Sequence, residues 1–233
     1  MIVAAACAAV LVVGLPVYLL VRHQEQQDSL AAIRPSGIPA SVSTSLANLM
    51  GLTPVPGRVA PAFSLTDQAG HTLSLASFRG HPVVLEFMDP HCIDICPIVS
   101  QEFIDAYHDL GGAASQAVFV AVNVNPYHHA VSDVAAYSGE HQLNTVPSWH
   151  FFTGPLASLK AVWRGYDISV NAPSPDADVQ HTSEIFFIDP QGRERYIAAP
   201  MADYTSAGKA YLPAGPLAEW GRGIALVSRQ LGR

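Results

Sequence analysis

Two of the chain's three cysteines lie in "HCIDICP", where Cys92 and Cys96 are followed directly by Pro97. A thiolate is a nucleophile and also a soft-metal ligand, so the pair offers two chemistries: dithiol–disulfide exchange and metal binding. A spacing of four positions lets both sulfurs converge on one point, whether the loop is a turn or an incipient helix. It also allows a Cys92–Cys96 disulfide if the loop adjusts. Outside the cytoplasm that disulfide is the resting state unless reduced. As a structural staple it would close only a short loop and add little stability.

The flanking segments set where these sulfurs sit. "HPVVLEFM" (81–88) is an apolar run of strand length, as expected of a strand covered on both faces. "CPIVSQEFIDAYHDLGG" predicts a helix with Pro97 in its first turn and Gly111 and Gly112 at its end. The cysteines therefore fall at the carboxyl end of a strand, where open α/β sheets place their sites. They also fall at a helix amino terminus, whose N–H groups favour thiolates. Two sulfurs rarely complete a metal site. "DADVQHTSEIFFID" supplies His181 just before a strand over 184–189. If that strand lies beside 82–88, His181 hangs over the cysteines, and two thiolates with one imidazole suit Cu(I), with Cu(II) also possible. The adjacent His128 and His129 invite a second metal site, although neighbouring histidines in a turn are more often simply exposed. Trp149, Phe151 and Phe152 read as packing residues.

Further elements follow from periodicity and punctuation. "AFSLTDQAGHTLSL" reads as two short strands around a glycine-containing turn. "AVFVAVNVN" (117–125) is a second buried strand, 130–143 a helix interrupted at Gly139, "PSWHFFTG" a shorter strand, and "PLASLKAVWRGY" a helix. Residues 184–198 read as strand, Asp189–Gly192 turn and returning strand, and "AGPLAEWGRGIALVSRQL" as a closing helix. Alternating strands and helices predict an α/β domain over 58–233 with a largely parallel sheet, helices on both faces and a closing antiparallel hairpin.

The amino end has another character. Residues 2–21 carry no charge and at about 1.5 Å per residue are long enough to cross a ~30 Å hydrocarbon layer. We read residues 1–22 as an uncleaved transmembrane anchor and 23–57 as a linker, within which "ASVSTSLANLM" predicts a short helix. The net charge of −7, with only two lysines, excludes a phosphate-gripping surface and hence nucleic-acid binding.

"HCIDICP" and "QHTSEIFFIDPQGR", with the entry "APAFSLTDQAGHTLSLASFRGHPVVLEF" and the "FFTG" segment, resemble the Sco/SenC family of copper-delivering cytochrome c oxidase assembly factors. The resemblance covers most of residues 58–198. It implies a thioredoxin-like fold with a central mixed sheet, tethered to a membrane and facing the periplasm or intermembrane space. It further implies one copper ion held by Cys92, Cys96 and His181, with His91 and Asp94 of the motif beside them. That copper passes to the binuclear site of oxidase subunit II or another cuproprotein, or the protein keeps that site's thiols reduced. The family's proline after the first cysteine is here Ile93, the aspartate before the histidine is Gln180, and "NPYHHAVSD" replaces the loop after the second core strand. Two other readings use the same cysteines. One is a membrane-anchored thiol–disulfide oxidoreductase of the TlpA-like type. The other is a thiol peroxidase, for which the usual "P-x-x-x-T/S-x-x-C" context is missing.

Overall fold

The structure, a computed structural model, describes residues 36–233. Its elements in chain order are α1 (Thr44–Leu49), β1 (Thr53–Pro54), β2 (Ser64–Thr66), β3 (Thr72–Ser74), β4 (Val83–Met88), α2 (Ile95–Leu110), β5 (Val118–Asn123), α3 (Val131–Glu140), β6 (Trp149–Phe152) and α4 (Leu156–Gly165). They continue with β7 (Val170–Asn171), β8 (Gln180–His181), β9 (Ile185–Ile188), β10 (Glu194–Ala198), β11 (Asp203–Tyr204), β12 (Ala210–Tyr211) and α5 (Ala214–Leu231).

Six strands form one sheet in the order β1-β10-β9-β4-β5-β6. The strands β4, β5 and β6 run parallel, while β9 lies antiparallel against β4 and β10 against β9. Every residue of β4 and β5 is buried, as their apolar runs require. Alternation splits β4 between two cores. Val83, Leu85 and Phe87 face a cluster that includes Leu159, Val162 and Trp163 of α4. Val84 and Met88 face the cluster built by α1, α2, α3 and α5. Helices thus cover both faces of a mixed sheet, and the strand after Ser183 is β4's neighbour.

Within the stretch read as a linker, the described residues join the fold. Ile38, Val42, Leu46, Ala47 and Met50 are buried in the larger core, and β1 pairs with the outer edge of β10. Pro54 is compatible with this because an edge strand can spare an N–H. The helix expected to break at Gly139 runs through it and ends at Glu140, one turn short of the expected boundary. Gln142, with φ of 58°, takes the chain out of the helical path. The short pairs β7–β8 and β11–β12 had no alternating signature in the sequence. The anchor read over 1–22 lies outside the described residues, among which no helix is long and apolar enough to cross a membrane.

The two long helices α2 and α5 approach closely because α5 presents glycine where they touch. A Cβ on Gly221 would stand 2.5 Å from Asp105 Cβ and 3.2 Å from the Ala106 backbone nitrogen. Gly221→Ala therefore forces the helices apart. Overpacking of this kind costs about 1–3 kcal/mol, against about 1 kcal/mol gained in helix propensity. We expect a lower midpoint in urea unfolding for Gly221→Ala and none for Gly215→Ala, whose Cβ would meet nothing within 4 Å.

Candidate metal centre

The sulfur loop begins where β4 ends, and Asp89 holds it. This buried carboxylate accepts the His91 N–H at 2.9 Å through Oδ1, while its backbone carbonyl accepts the Cys92 N–H at 3.1 Å. The same Oδ1 accepts Asn125 Nδ2 at 2.9 Å, tying this loop to the one after β5. Helix α2 then starts at Ile95, with Pro97 in the first turn where its missing N–H leaves no gap.

Both cysteines are free thiols. Cys92 is half-buried and Cys96 buried, and their side chains are hydrogen-bonded to each other. That bond, with further N–H donors from Cys96 and Asp94, lowers the Cys92 pKa against the opposing effect of burial. Cys96 moves the other way, because it donates to Cys92 and is wholly enclosed. The helix amino terminus was expected to activate both thiols; it activates the outer one, and enclosure overrides it at the inner one. Cys92 is therefore the more readily ionised of the two thiols, and Cys96 the one that keeps its proton longer.

His181 lies on β8, paired across to Val170. Its Nδ1 is 2.9 Å from the Thr182 carbonyl, which can only accept, so Nδ1 carries the proton and Nε2 keeps a free lone pair. Burial lowers the pKa of this imidazole, keeping it neutral and fit to ligate. A cavity of about 660 Å³ is lined by Cys92 and His181 together with Asp89 and Ser183. A second cavity of about 930 Å³ is lined by His91, Cys92, Tyr137 and Asp133. Ile93, 86% exposed, lines both.

The structure thus puts Cys92 and His181 on one cavity but does not gather all three sequence-derived ligands to coordination distance. Among the described residues, the three metal-ligating side chains whose ligand atoms all lie within 4.8 Å of one another are His91, His128 and Asp133. Asp94 occupies the N-cap position of α2 yet makes no capping bond. Its Oδ2 instead accepts the hydroxyl of Tyr204 on β11 at 3.2 Å.

Sequence reasoning passed over the acids behind the sulfurs. Glu86, the lone charge in "VVLEFM", is buried on β4, and its Oε1 accepts the Ser183 hydroxyl at 3.1 Å. Burial pushes its pKa up to about 8. Glu102 of α2 is also buried with neither carboxyl oxygen bonded, and burial raises it too, the nearby Glu86 adding to the effect. A single acid in a strand otherwise wholly apolar was the available signal.

A dithiol loop at the carboxyl end of a central parallel strand, on a mixed sheet with helices on both faces, defines a protein of the thioredoxin-like class. The SCO1/SenC family model matches residues 53–207, and the chain belongs to that family. The mitochondrial SCO2 homolog of Bos taurus is 30% identical over 138 residues, covering 56% of this chain and 50% of that protein. The SCO1 homolog of Bacillus subtilis is 24% identical over 140 residues, covering 56% of this chain and 68% of that protein. The match to the bovine relative thus spans about half of its length. Among solved structures, Bradyrhizobium japonicum ScoI with copper bound shares the fold with a TM-score of 0.58 at 21% identity, covering 75% of this chain and 99% of that one.

The thiol asymmetry predicts an order of reaction. With limiting iodoacetamide and reduced protein, peptide mapping should find Cys92 alkylated before Cys96; the reverse order would contradict the assignment. Glu86 predicts a pH dependence of stability. Its pKa is 4.5 ordinarily and about 8 in the fold, so between these values the native state holds a proton that the unfolded chain has released. Stability is full below about pH 4.5 and falls as pH rises towards 8, by about 4 kcal/mol across the window. Glu86→Gln should give a distinctly shallower slope in urea unfolding, with Glu102 accounting for what remains.

Proposed function

We propose that this protein is an extracytoplasmic copper carrier that binds one copper ion through Cys92 Sγ, Cys96 Sγ and His181 Nε2. The observation that carries the reading is the cavity that Cys92 and His181 both line, with the His181 proton fixed on Nδ1. Two thiolates and one neutral imidazole form a soft donor set suited to Cu(I). Ligation would draw the β7–β8 pair and the sulfur loop together and expel the Cys96 proton, which Cys96's raised pKa makes the costlier of the two thiol protons to remove. Family membership and the copper-bound fold relative support the same cargo.

Delivery to the copper site of cytochrome c oxidase subunit II, or to another cuproprotein, extends this reading. The anchor over residues 1–22 would tether the domain on the extracytoplasmic face of a membrane, in single-pass form. The uncharged run at 2–21 supports that placement.

The thiol asymmetry favours a second activity of the same residues, reduction of a partner's disulfide. Cys92 attacks as the thiolate, forming a mixed disulfide, and Cys96 resolves it to a Cys92–Cys96 disulfide as the partner leaves with both its thiols reduced. A lowered outer thiol above an enclosed inner one suits this order.

Anaerobic Cu(I) loading with a competing chromophoric chelator tests the first reading. Wild type should retain one copper per chain, Cys92→Ser and Cys96→Ser should lose it, and His181→Ala should weaken it by about tenfold or more. A His181→Ala chain that holds copper as tightly as wild type would sink the three-ligand site. Retained copper affinity with no catalysed disulfide reduction would remove the second activity alone.

A further inference from the structure

Two imidazoles stack beside the sulfur loop for a reason the copper reading does not supply. His91, immediately before Cys92, lies against His128 with ring centroids 3.9 Å apart and planes 23° from parallel. Among the described residues, neither ring nitrogen set is hydrogen-bonded to a protein group. The carboxylate of Asp133 completes a cluster whose ligand atoms all lie within 4.8 Å of one another. His128 and Asp133 are half-buried and His91 is exposed, so the cluster is open to solvent on one side.

The backbone under this cluster is fixed by buried polar side chains. His128 donates its N–H to Asn125 Oδ1 at 2.9 Å, and its carbonyl accepts Asn123 Nδ2 at 2.8 Å. Asn125 reaches across to Asp89 Oδ1, which also accepts the His91 N–H. One connected set of hydrogen bonds therefore positions both histidines, although they are carried on loops after different strands. Asp133 is held as well, because its Oδ2 accepts the Ala130 N–H at 2.9 Å and leaves Oδ1 free. Rigid support of this kind is what a metal site needs from the residues behind its ligands.

We propose that His91, His128 and Asp133 form a second metal site, for a divalent ion of the Cu(II) or Zn(II) class. Two imidazoles and one carboxylate suit such borderline ions, and the open side leaves a position for water. The donor set contrasts with the soft sulfurs of Cys92 and Cys96. His91 and Asp133 line the same 930 Å³ cavity as Cys92, so the second ion would lie in the cavity that the outer sulfur faces. The site stands independently of the cysteine-bound copper, since no sulfur belongs to it.

The test uses the full chain carrying Cys92→Ser and Cys96→Ser, titrated with Cu(II) by equilibrium dialysis and electron paramagnetic resonance. One ion should bind per chain, with hyperfine structure from two imidazole nitrogens. Adding His128→Ala should weaken binding by about tenfold or more. Adding Asp133→Asn, which can still cap Ala130, should weaken it too, while His129→Ala should leave it unchanged. Circular dichroism checks that each variant is folded, and oxidised wild type with its cysteines tied in a disulfide provides a second background. Absence of stoichiometric binding in both backgrounds, or equal affinity in the His128→Ala variant, overturns the proposal. A single ion lost on His181→Ala but kept on His128→Ala assigns the binding elsewhere and overturns it equally.

Discussion

The carboxylate of Asp89 joins the two loops on which everything at this site is carried. It is buried at the carboxyl end of β4 and accepts from the His91 backbone and the Asn125 side chain at once. An enclosed carboxylate left without donors costs several kcal/mol, so the loops are held to it and to each other. The Cys92 sulfur is presented by one loop and His128 by the other. Asn123 extends the connection by accepting the Asn125 N–H through Oδ1 at 2.7 Å and donating to Thr153 Oγ1 at 3.2 Å, so the residue just after β6 is drawn in as well.

Burial then divides labour between sulfurs that look equivalent in the motif. Cys96 points inward at the start of α2, where the Ser100 hydroxyl donates to its carbonyl at 2.9 Å and Tyr137 packs nearby. Low dielectric surroundings penalise charge there, so charge collects on Cys92, which has the N–H donors and the opening to solvent. The buried Glu86 reinforces this, since its negative charge would raise the Cys96 pKa further.

Much of this was legible beforehand where a single segment carries its own instructions. The apolar runs at β4 and β5, the strand–helix placement of Cys92 and Cys96, and the Asp189–Gly192 turn all follow from local composition. Gly192 has φ of 70°, and Asp189 Oδ1 accepts the Gln191 and Arg193 N–H groups, as a turn of that sequence should. The β1 edge strand was hidden because its prolines and glycines signal a loop, and only the free edge of β10 makes it a strand. Asp94 stands at the N-cap position of α2, yet a hydroxyl on a distant hairpin, that of Tyr204, captures its carboxylate instead.

By itself the sequence determined the chemistry available: two thiols at the start of a helix, an imidazole ahead of a buried strand, and a fold able to set them near one another. Those depend on residue type, spacing and periodicity, which act over a few residues. Only the tertiary structure decided which thiol ionises more readily, that Glu86 stands near the inner sulfur, and that His91, His128 and Asp133 meet. Such outcomes depend on desolvation and on contacts between segments up to about a hundred residues apart, as between Glu86 and Ser183. No local pattern encodes these, because the enclosing atoms come from other parts of the chain.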